Sequence, residues 1–576
     1  MEVHFLTPPA MVDELSIQSV HERPIHELPE GYYLDNFHFL LSFVTNQYSH
    51  LLHDDELAYT QQFQHLQPES QMLYVRLIQR RGPLFRSDKL AYEEIPEIEL
   101  AIEELRREGF LDNGEDADKL DKLGLLTKKE LLELPGAHEL DRSARKFFIL
   151  EELVEAGVEI SGYEIVRPLL GEVLQLYKLL FFGNLNQDFT EFVLNDLGVT
   201  PFEDYEIDIR SSFYQNRMVV DQVLELYELN EESYLVIEEG DKDSISKFVE
   251  KLPERPLEPR LVRRHDRILN RLARQYERLG ALDEALLLYR QSQLPPTRER
   301  QARVLQKQGQ AELCTEQCLR IIRDPIHDEE YEFATRFLSR HLKKHPDING
   351  NGRSATVLDA SLLNFEPVVR TVSTVGDPDK RVEEIACDWF RAQDQEAFYV
   401  ENSLLPGLFG LAFWDIIFLS VNGAFFNPFQ RGPADMFSPE FYRARQEQIE
   451  KRMLQLHNQE YLKKIILDQY HAKFPRANYF VHWPWLTLEL LDRFLNLIPA
   501  VTLVTVFQRL IKDPVNNRSG FPDLIVFDGN QYSFVEIKGP GDRLQNNQLR
   551  WLRHFDSVGI PAEVVHVTYE PAADNG

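Results

Sequence analysis

The sequence predicts a multidomain, mainly α-helical protein that ends in a small α/β domain. Three observations carry this. At 576 residues the chain exceeds what one hydrophobic core serves, so two to four domains are expected. From residue 34 to about 345, apolar positions recur at helical spacing, punctuated by capping residues, glycines and prolines. Only after residue 520 do a strand, a tight turn, a second strand, a helix and a third strand follow one another.

Composition narrows the class. With 43% hydrophobic and 11% aromatic residues, several domains can be buried. Three cysteines, Cys314, Cys318 and Cys387, are too few for a disulfide framework and fit a reducing compartment. The start, MEVHFLTPPAMVDELSIQSV, has no basic n-region and no uninterrupted apolar core, so no secretory signal is read. No nuclear-type basic cluster or zinc finger is visible there, and a bacterial cytoplasm close to the nucleoid is expected. The net charge of -31 argues at first against a polyanionic partner.

Residues 1–145 are read as a helical, DNA-binding region. Helical spacing over 34–64 is followed by Tyr74-Val75-Arg76-Leu77-Ile78-Gln79-Arg80-Arg81, a basic amphipathic helix stopped at Gly82-Pro83; Arg76 and Arg80 are candidate phosphate contacts. An acidic helix runs from Ile95 to Glu108 and closes at Gly109. Thr127, with Glu130 three residues on, predicts a capping box opening another short helix. Short helices at this spacing suggest a winged-helix or SAP-like module, a type that binds DNA but also serves as a protein spacer. Residues 146–250 read as a helical connection.

Residues 251–345 read as a degenerate TPR-like helical repeat, with one hairpin turning at Gly280 and a fainter one at Gly309, 29 residues later. The charge there is reversed. Residues 251–350 hold 20 Lys plus Arg against 15 Asp plus Glu, a local +5, leaving -36 for the rest. Arg260, Arg263, Arg264, Arg267, Arg271, Arg274 and Arg278 step by three or four along one helix, either as a cationic stripe that tracks phosphates or as a solvated face paired with Asp266 and Glu277.

Residues 346–380 read as a linker or edge hairpin, and 381–576 as the final domain. Within it Val382–Gln393 is helical, and Leu405–Phe426, although long enough to span a bilayer, carries Asp415 at its centre and reads as a buried soluble helix. Ser438-Pro439 caps a long polar helix, and a helix pair follows from Leu486 to Leu510.

The chemistry lies in the last segment. Leu524–Phe527 and Tyr532–Lys538 form a hairpin about Asp528-Gly529-Asn530. Alternation puts Glu536 and Lys538 on one face and Ile537 on the other, while Asp523 can meet Glu536 across the pair. Two carboxylates and a lysine make a site for a hard divalent cation, Mg²⁺ or Mn²⁺, of the kind that hydrolyses phosphodiesters. The isolated letters also fit a surface salt bridge on a hairpin. His482, His554 and His566 flank the domain without zinc-type spacing and read as structural.

Arg518-Ser519-Gly520-Phe521-Pro522-Asp523-Leu524, with Glu536-Ile537-Lys538-Gly539-Pro540-Gly541-Asp542-Arg543-Leu544, Gln548 and Trp551, resembles the VRR-NUC module of the PD-(D/E)xK nuclease superfamily. Asp542 would cap the helix after it, with Gln548 one to two turns in. Tyr74-Val75-Arg76-Leu77, the helical repeat, and Glu401-Asn402-Ser403 leading into Gly410-Leu411-Ala412-Phe413-Trp414-Asp415-Ile416-Ile417-Phe418 extend the likeness across nearly the whole chain, which is identified as a member of the Fanconi-associated nuclease family. The resemblance implies that Glu401 joins Asp523 and Glu536 at the metal, with the Ile537 carbonyl as a further ligand. Asp415 competes with Glu401 for this role. Where the family often has Gly on both sides of that glutamate, this chain has Val400 and Asn402. Lys538 would position the attacking water, and Gln548 the lysine or the scissile phosphate. The implied activity is structure-selective endonuclease cleavage of 5′-flap DNA, with 5′-to-3′ exonuclease action, in interstrand-crosslink repair. Branched DNA is the expected partner, no membrane is expected, and self-association on DNA is left open. A junction-resolving or restriction-type nuclease and a non-catalytic repeat scaffold are the alternatives.

Overall fold

The computed structural model describes residues 31–348 and 358–569, apart from 81, 135–140, 159–161, 170, 188, 190–200 and 208–211. The N-terminal segment read for targeting signals and most of the glycine-rich start of 346–380 lie outside the described residues. The chain divides into two units: 31–217 with Phe425–Gln430, and 218–424 with 431–569.

The first unit opens with α1 (Tyr32–Tyr48), α2 (Asp54–His65) and α3 (Pro68–Ile78). Their apolar stripes meet in an aromatic core, where Phe110 packs edge to face on Phe63 and Tyr74 and those two tilt against each other, with ring centroids 5.1–6.1 Å apart. Next come β1 (Phe85–Arg86), α4 (Ile98–Arg107) and β2 (Leu111–Asp112). Then α5 (Lys119–Gly124), α6 (Lys128–Leu132) and α7 (Lys146–Glu155) precede β3 (Ile165–Pro168) and α8 (Gly171–Phe182). The strands form a sheet of order β1-β3-β2, antiparallel throughout. This is a winged-helix arrangement whose β2–β3 wing carries α5–α7 as an insertion with its own core of Leu123, Leu126, Leu131, Ile149 and Leu153. The boundary expected at 145 falls inside this module, because β3 pairs with strands more than 50 residues earlier and no local signal marks it. The Thr127–Glu130 capping box is formed in both directions.

Phe425–Gln430, expected in the last domain, packs in this first unit instead. Phe425 stacks on Tyr205 at 4.0 Å, and the Asn427 amide donates to the Phe181 carbonyl at 3.1 Å. An apolar FFNPF run finds aromatic partners wherever the topology offers them.

The second unit begins with α9 (Arg217–Glu239) and α10 (Lys242–Lys251), then the repeat: α11 (Pro259–Arg278), α12 (Leu282–Gln291), α13 (Thr297–Lys307), α14 (Ala311–Arg323) and α15 (Asp328–Lys344). Both expected turn glycines are left-handed, Gly280 at φ +75° and Gly309 at φ +72°. The short α16 (Ala360–Asn364) leads into β4 (Val369–Thr374), α17 (Val382–Arg391) and β5 (Glu396–Tyr399). Helices α18 (Leu404–Ala412), α19 (Trp414–Ile417), α20 (Pro439–Ala444), α21 (Gln446–Leu456), α22 (Gln459–Lys473), α23 (Leu488–Leu497), α24 (Ala500–Lys512) and α25 (Pro514–Asn517) follow. The chain closes with β6 (Leu524–Asp528), β7 (Gln531–Lys538), α26 (Asn546–Val558) and β8 (Ala562–Tyr569).

The five-stranded sheet has the order β4-β8-β7-β6-β5. Strands β5, β6 and β7 are antiparallel to their neighbours in turn, whereas β8 runs parallel to both β7 and β4. Residues 369–374 are therefore an edge strand and not a linker or hairpin. Only Val372 of it is buried and its partner lies near residue 567, so the sequence offers neither an apolar run nor a local mate. One face packs on α17 through Val372, Ala386, Phe390, Leu524, Val526, Val535, Ile537 and Val565.

Two helices expected to be single are broken. The 405–426 segment bends at Phe413 between α18 and α19, and the helix after Ser438-Pro439 breaks at Arg445 between α20 and α21. Among the described residues no single helix is long and apolar enough to cross a membrane.

Candidate active site

Register places the expected residues together. Leu524 pairs with Val535, so Asp523 stands opposite Glu536 at the point where the β6–β7 ladder opens. The Asp523 carboxylate accepts the Ile537 backbone N–H at 2.7 Å, and its own carbonyl accepts the Val400 N–H at 2.8 Å. That second bond brings the end of β5, and Glu401 just past it, to the same edge. Ile537 points away into the sheet core while Glu536 and Lys538 share the opposite face, as alternation requires.

Glu536 is completely buried and Lys538 nearly so; the Lys538 ammonium donates to Glu536 Oε1 at 2.6 Å. The other oxygen, Glu536 Oε2, is buried without a hydrogen-bond partner. Burial, and then the facing Glu536, push the Asp523 carboxyl far above the usual carboxylate range; Glu401 and Glu383 add to it. Burial raises Glu536 as well, opposed by Lys538 and reinforced by Glu401 and Glu383. Glu401 is held on both oxygens, by the Tyr399 hydroxyl at 2.5 Å and the Asn402 amide at 3.0 Å. In these positions no three His, Cys, Asp or Glu side chains among the described residues close on one point.

The sequence does not single out Glu383. It sits in the first turn of α17, whose opening residue Val382 lies beside Gly539 at the end of β7. An acid in the first turn of a helix reads locally as a favourable dipole contact, which hides it.

Other expected positions shift in role. Asp542 does not cap α26; its carboxylate accepts the Gly539 N–H at 3.1 Å, closing the turn after β7. The cap is Gln545, and Gln548 lies in the first turn with Oε1 accepting the Gln545 N–H at 2.8 Å. The helix therefore starts later than a cap at Asp542 implies. Asp415 is exposed, not buried, and forms a two-pronged pair with Arg452 of α21 at 2.7 and 3.0 Å, which removes it from the site. His482 is exposed and His566 half-buried. Burial pushes His554 down to about 4, with Arg509 beside it.

The donor set suits a hard divalent ion. Carboxylate oxygens and a strand carbonyl are the oxygen donors such an ion takes, and a desolvated Glu536 oxygen without a partner is costly unless a cation or donor meets it.

Comparison with known proteins gives the family. The family model described as "FAN1, HTH domain" matches residues 31–112, and that described as "VRR-NUC domain" matches 457–569. The Fanconi-associated nuclease 1 homolog of Pseudomonas aeruginosa is 34% identical over 94% of this chain and 97% of its own length. The chain belongs to the Fanconi-associated nuclease family. Its relative in Arabidopsis thaliana is 25% identical over 92% of this chain, which spans 66% of that longer protein. The crystal structure of paFAN1 bound to 2-nucleotide 5′-flap DNA with a gap matches with a TM-score of 0.83 at 32% identity, covering 95% of this chain and all of that one.

In this Fanconi-associated nuclease the arginine stripe is largely committed to the fold. Arg263 pairs with Glu440 at 2.8 Å, and Arg260 donates to the Gly423 carbonyl at 2.6 Å. Arg264 lies over Tyr227 at 4.1 Å and Arg271 over Tyr234 at 3.7 Å, both on α9. Arg274 pairs with Glu277 at 2.9 Å. Arg267 and Arg278 remain exposed. Of the two acids expected to neutralise the face, Asp266 turns elsewhere and pairs with Arg255 at 2.8 Å, whereas Glu277 does hold Arg274 and is shared with Arg300 and Lys307. In the first unit Arg76 is bound to Glu94 at 2.6 Å and lies over Tyr33, while Arg80 donates to the Tyr92 hydroxyl at 3.0 Å.

Proposed function

We propose that this nuclease is a divalent-metal-dependent, structure-selective endonuclease that cuts 5′-flap DNA near its junction. The reading rests on one observation above all: Asp523, Glu536 and Lys538 converge on a buried sheet edge where a Glu536 oxygen is unmatched. The flap-bound structure of its relative supports the substrate.

Asp523, Glu536 and Glu401, with the Ile537 carbonyl, would hold Mg²⁺ or Mn²⁺. When bound, such an ion polarises a phosphoryl oxygen and lowers the pKa of its water. Lys538 uses one of its three donors on Glu536, leaving two to orient the attacking water. Gln548 has its carbonyl oxygen committed to the Gln545 N–H, which leaves its Nε2 to meet the scissile phosphate. Hydrolysis leaves a 5′-phosphate and a 3′-hydroxyl, and repetition gives 5′-to-3′ exonuclease action on crosslinked DNA. The winged-helix module and Arg267 and Arg278 bind duplex arms through phosphates, which set position without reading sequence. With DNA as substrate, the setting is the cytoplasm, at the nucleoid.

The test is cleavage of a labelled 5′ flap in Mg²⁺, beside four-way and blunt duplex DNA. Lys538→Ala should lower the flap rate by about 10²–10⁴-fold with flap affinity within about twofold. Wild-type cutting by this variant would remove Lys538 from the mechanism, and equal cutting of all three substrates would remove flap selectivity.

A further inference from the structure

Asn402 has a conformation that most side chains avoid. Its φ is +50°, in the left-handed region, where glycine is the usual residue and asparagine the next most tolerant. Among non-glycine residues described, only Asp394 shares a positive φ. The strain is accompanied by three hydrogen bonds. Asn402 Oδ1 accepts the backbone N–H groups of Gly520 at 2.9 Å and Phe521 at 3.3 Å, while Nδ2 donates to Glu401 Oε1 at 3.0 Å.

The two ends of this amide reach different parts of one site. Gly520 and Phe521 open the loop that delivers Asp523. That loop is itself stiff: Phe521 stacks on Trp551 at 4.1 Å, the Trp551 indole donates to the Asn517 carbonyl at 3.2 Å, and Gly520 packs so closely that a Cβ there would sit 2.8 Å from Asn547 backbone. The amide therefore ties a rigid support to the Glu401 carboxylate. Tyr399, on β5, fixes the other Glu401 oxygen.

We propose that Asn402 is a positioning residue that holds Glu401 in register with Asp523, so that a divalent cation finds both carboxylates at the same sheet edge. Glycine would supply the same backbone turn but would leave the Gly520 and Phe521 N–H groups and Glu401 Oε1 without these partners. Glu401 faces Asp523 and Glu536 as a like charge, so without a tether it would swing toward solvent. Outer hydrogen bonds to ligating carboxylates typically change metal affinity by about 10–100-fold. The inference rests on the assignment of Asp523, Glu536 and Glu401 as the metal carboxylates.

The experiment measures Mn²⁺ binding to the full-length protein without DNA, from the paramagnetic resonance signal of free Mn²⁺. Asn402→Gly should weaken binding about tenfold with an unchanged melting curve, and should raise the Mn²⁺ concentration for half-maximal flap cleavage while sparing the rate at saturating Mn²⁺. Asp523→Asn is the control for the site itself. If Asp523→Asn binds Mn²⁺ like the wild type, the carboxylate assignment fails. If it loses binding while Asn402→Gly keeps wild-type affinity, the assignment stands and the tether is refuted. Should Asn402→Gly melt early, Tyr399→Phe, which frees the other oxygen, takes its place, and unchanged affinity there equally overturns the need to hold Glu401.

Discussion

Replacing Asp523 by Asn should abolish cleavage and yet stabilise the metal-free protein. Asp523 and Glu536 are buried and stand opposite each other at the end of an antiparallel pair, where facing Cβ atoms lie about 5 Å apart. At that separation and an effective dielectric of about 20, two full charges repel by roughly 3 kcal/mol. The Lys538 ammonium on Glu536 offsets part of this, leaving about 1–2 kcal/mol. Asparagine keeps the oxygen that accepts the Ile537 N–H, so the substitution removes charge and little else. The sign in pH follows. A carboxyl raised in the folded state binds its proton more tightly there than in the unfolded chain, so its contribution is fully present below pH ~4 and is lost as pH rises toward its folded pKa. In EDTA the wild type should therefore melt earlier at pH ~8 than at pH ~5.5, and Asp523→Asn should flatten that dependence, melting roughly 3–5 °C higher than wild type at the upper pH. Saturating Mg²⁺ should raise the wild type but not the variant. A variant that melts below wild type in EDTA at the upper pH, or a wild type whose stability does not fall across this range, would refute the clustered-carboxylate argument.

Two further outcomes follow from the repeat. Arg267→Gln with Arg278→Gln should lower the slope of log affinity against log salt for flap DNA by up to about 1.8, at about 0.9 for each phosphate no longer neutralised, with the melting temperature unchanged; an unchanged slope returns both to a solvated face. Glu277→Ala should cost about 2 kcal/mol in denaturant unfolding, because it leaves the mostly buried Arg300 without its anion while the half-exposed Arg274 and Lys307 turn to water; a loss below about 1 kcal/mol would show that the cluster is held by packing.

The hairpin is legible because its information is local. Period-two alternation assigns Glu536, Ile537 and Lys538 to faces without reference to the rest of the chain, and turn chemistry at Asp528-Gly529-Asn530 fixes the register that sets Asp523 opposite Glu536. Glycine turns and the Thr127–Glu130 box are legible for the same reason. What escapes is non-local. Strand β4 has a polar sequence and a mate nearly two hundred residues away, and β3 completes a wing across an inserted helical module. Glu383 enters the site because α17 packs on the sheet, and an acid in the first turn of a helix has an ordinary local explanation.

The arginine stripe shows where periodicity stops. Steps of three and four correctly gather seven arginines on α11, but spacing says nothing about what covers that face. The answer is α9 for Arg264 and Arg271, whose guanidinium groups lie on tyrosine rings, and Glu440 and Gly423 of the same unit for Arg263 and Arg260. A guanidinium with two or three protein hydrogen bonds gains little from a phosphate, since it must first give those up. Local charge of +5 therefore overstates what DNA can use, as total charge of -31 understates it. Each cation must be counted after its intramolecular partners, which leaves Arg267 and Arg278 as the stripe positions where a phosphate competes chiefly with water.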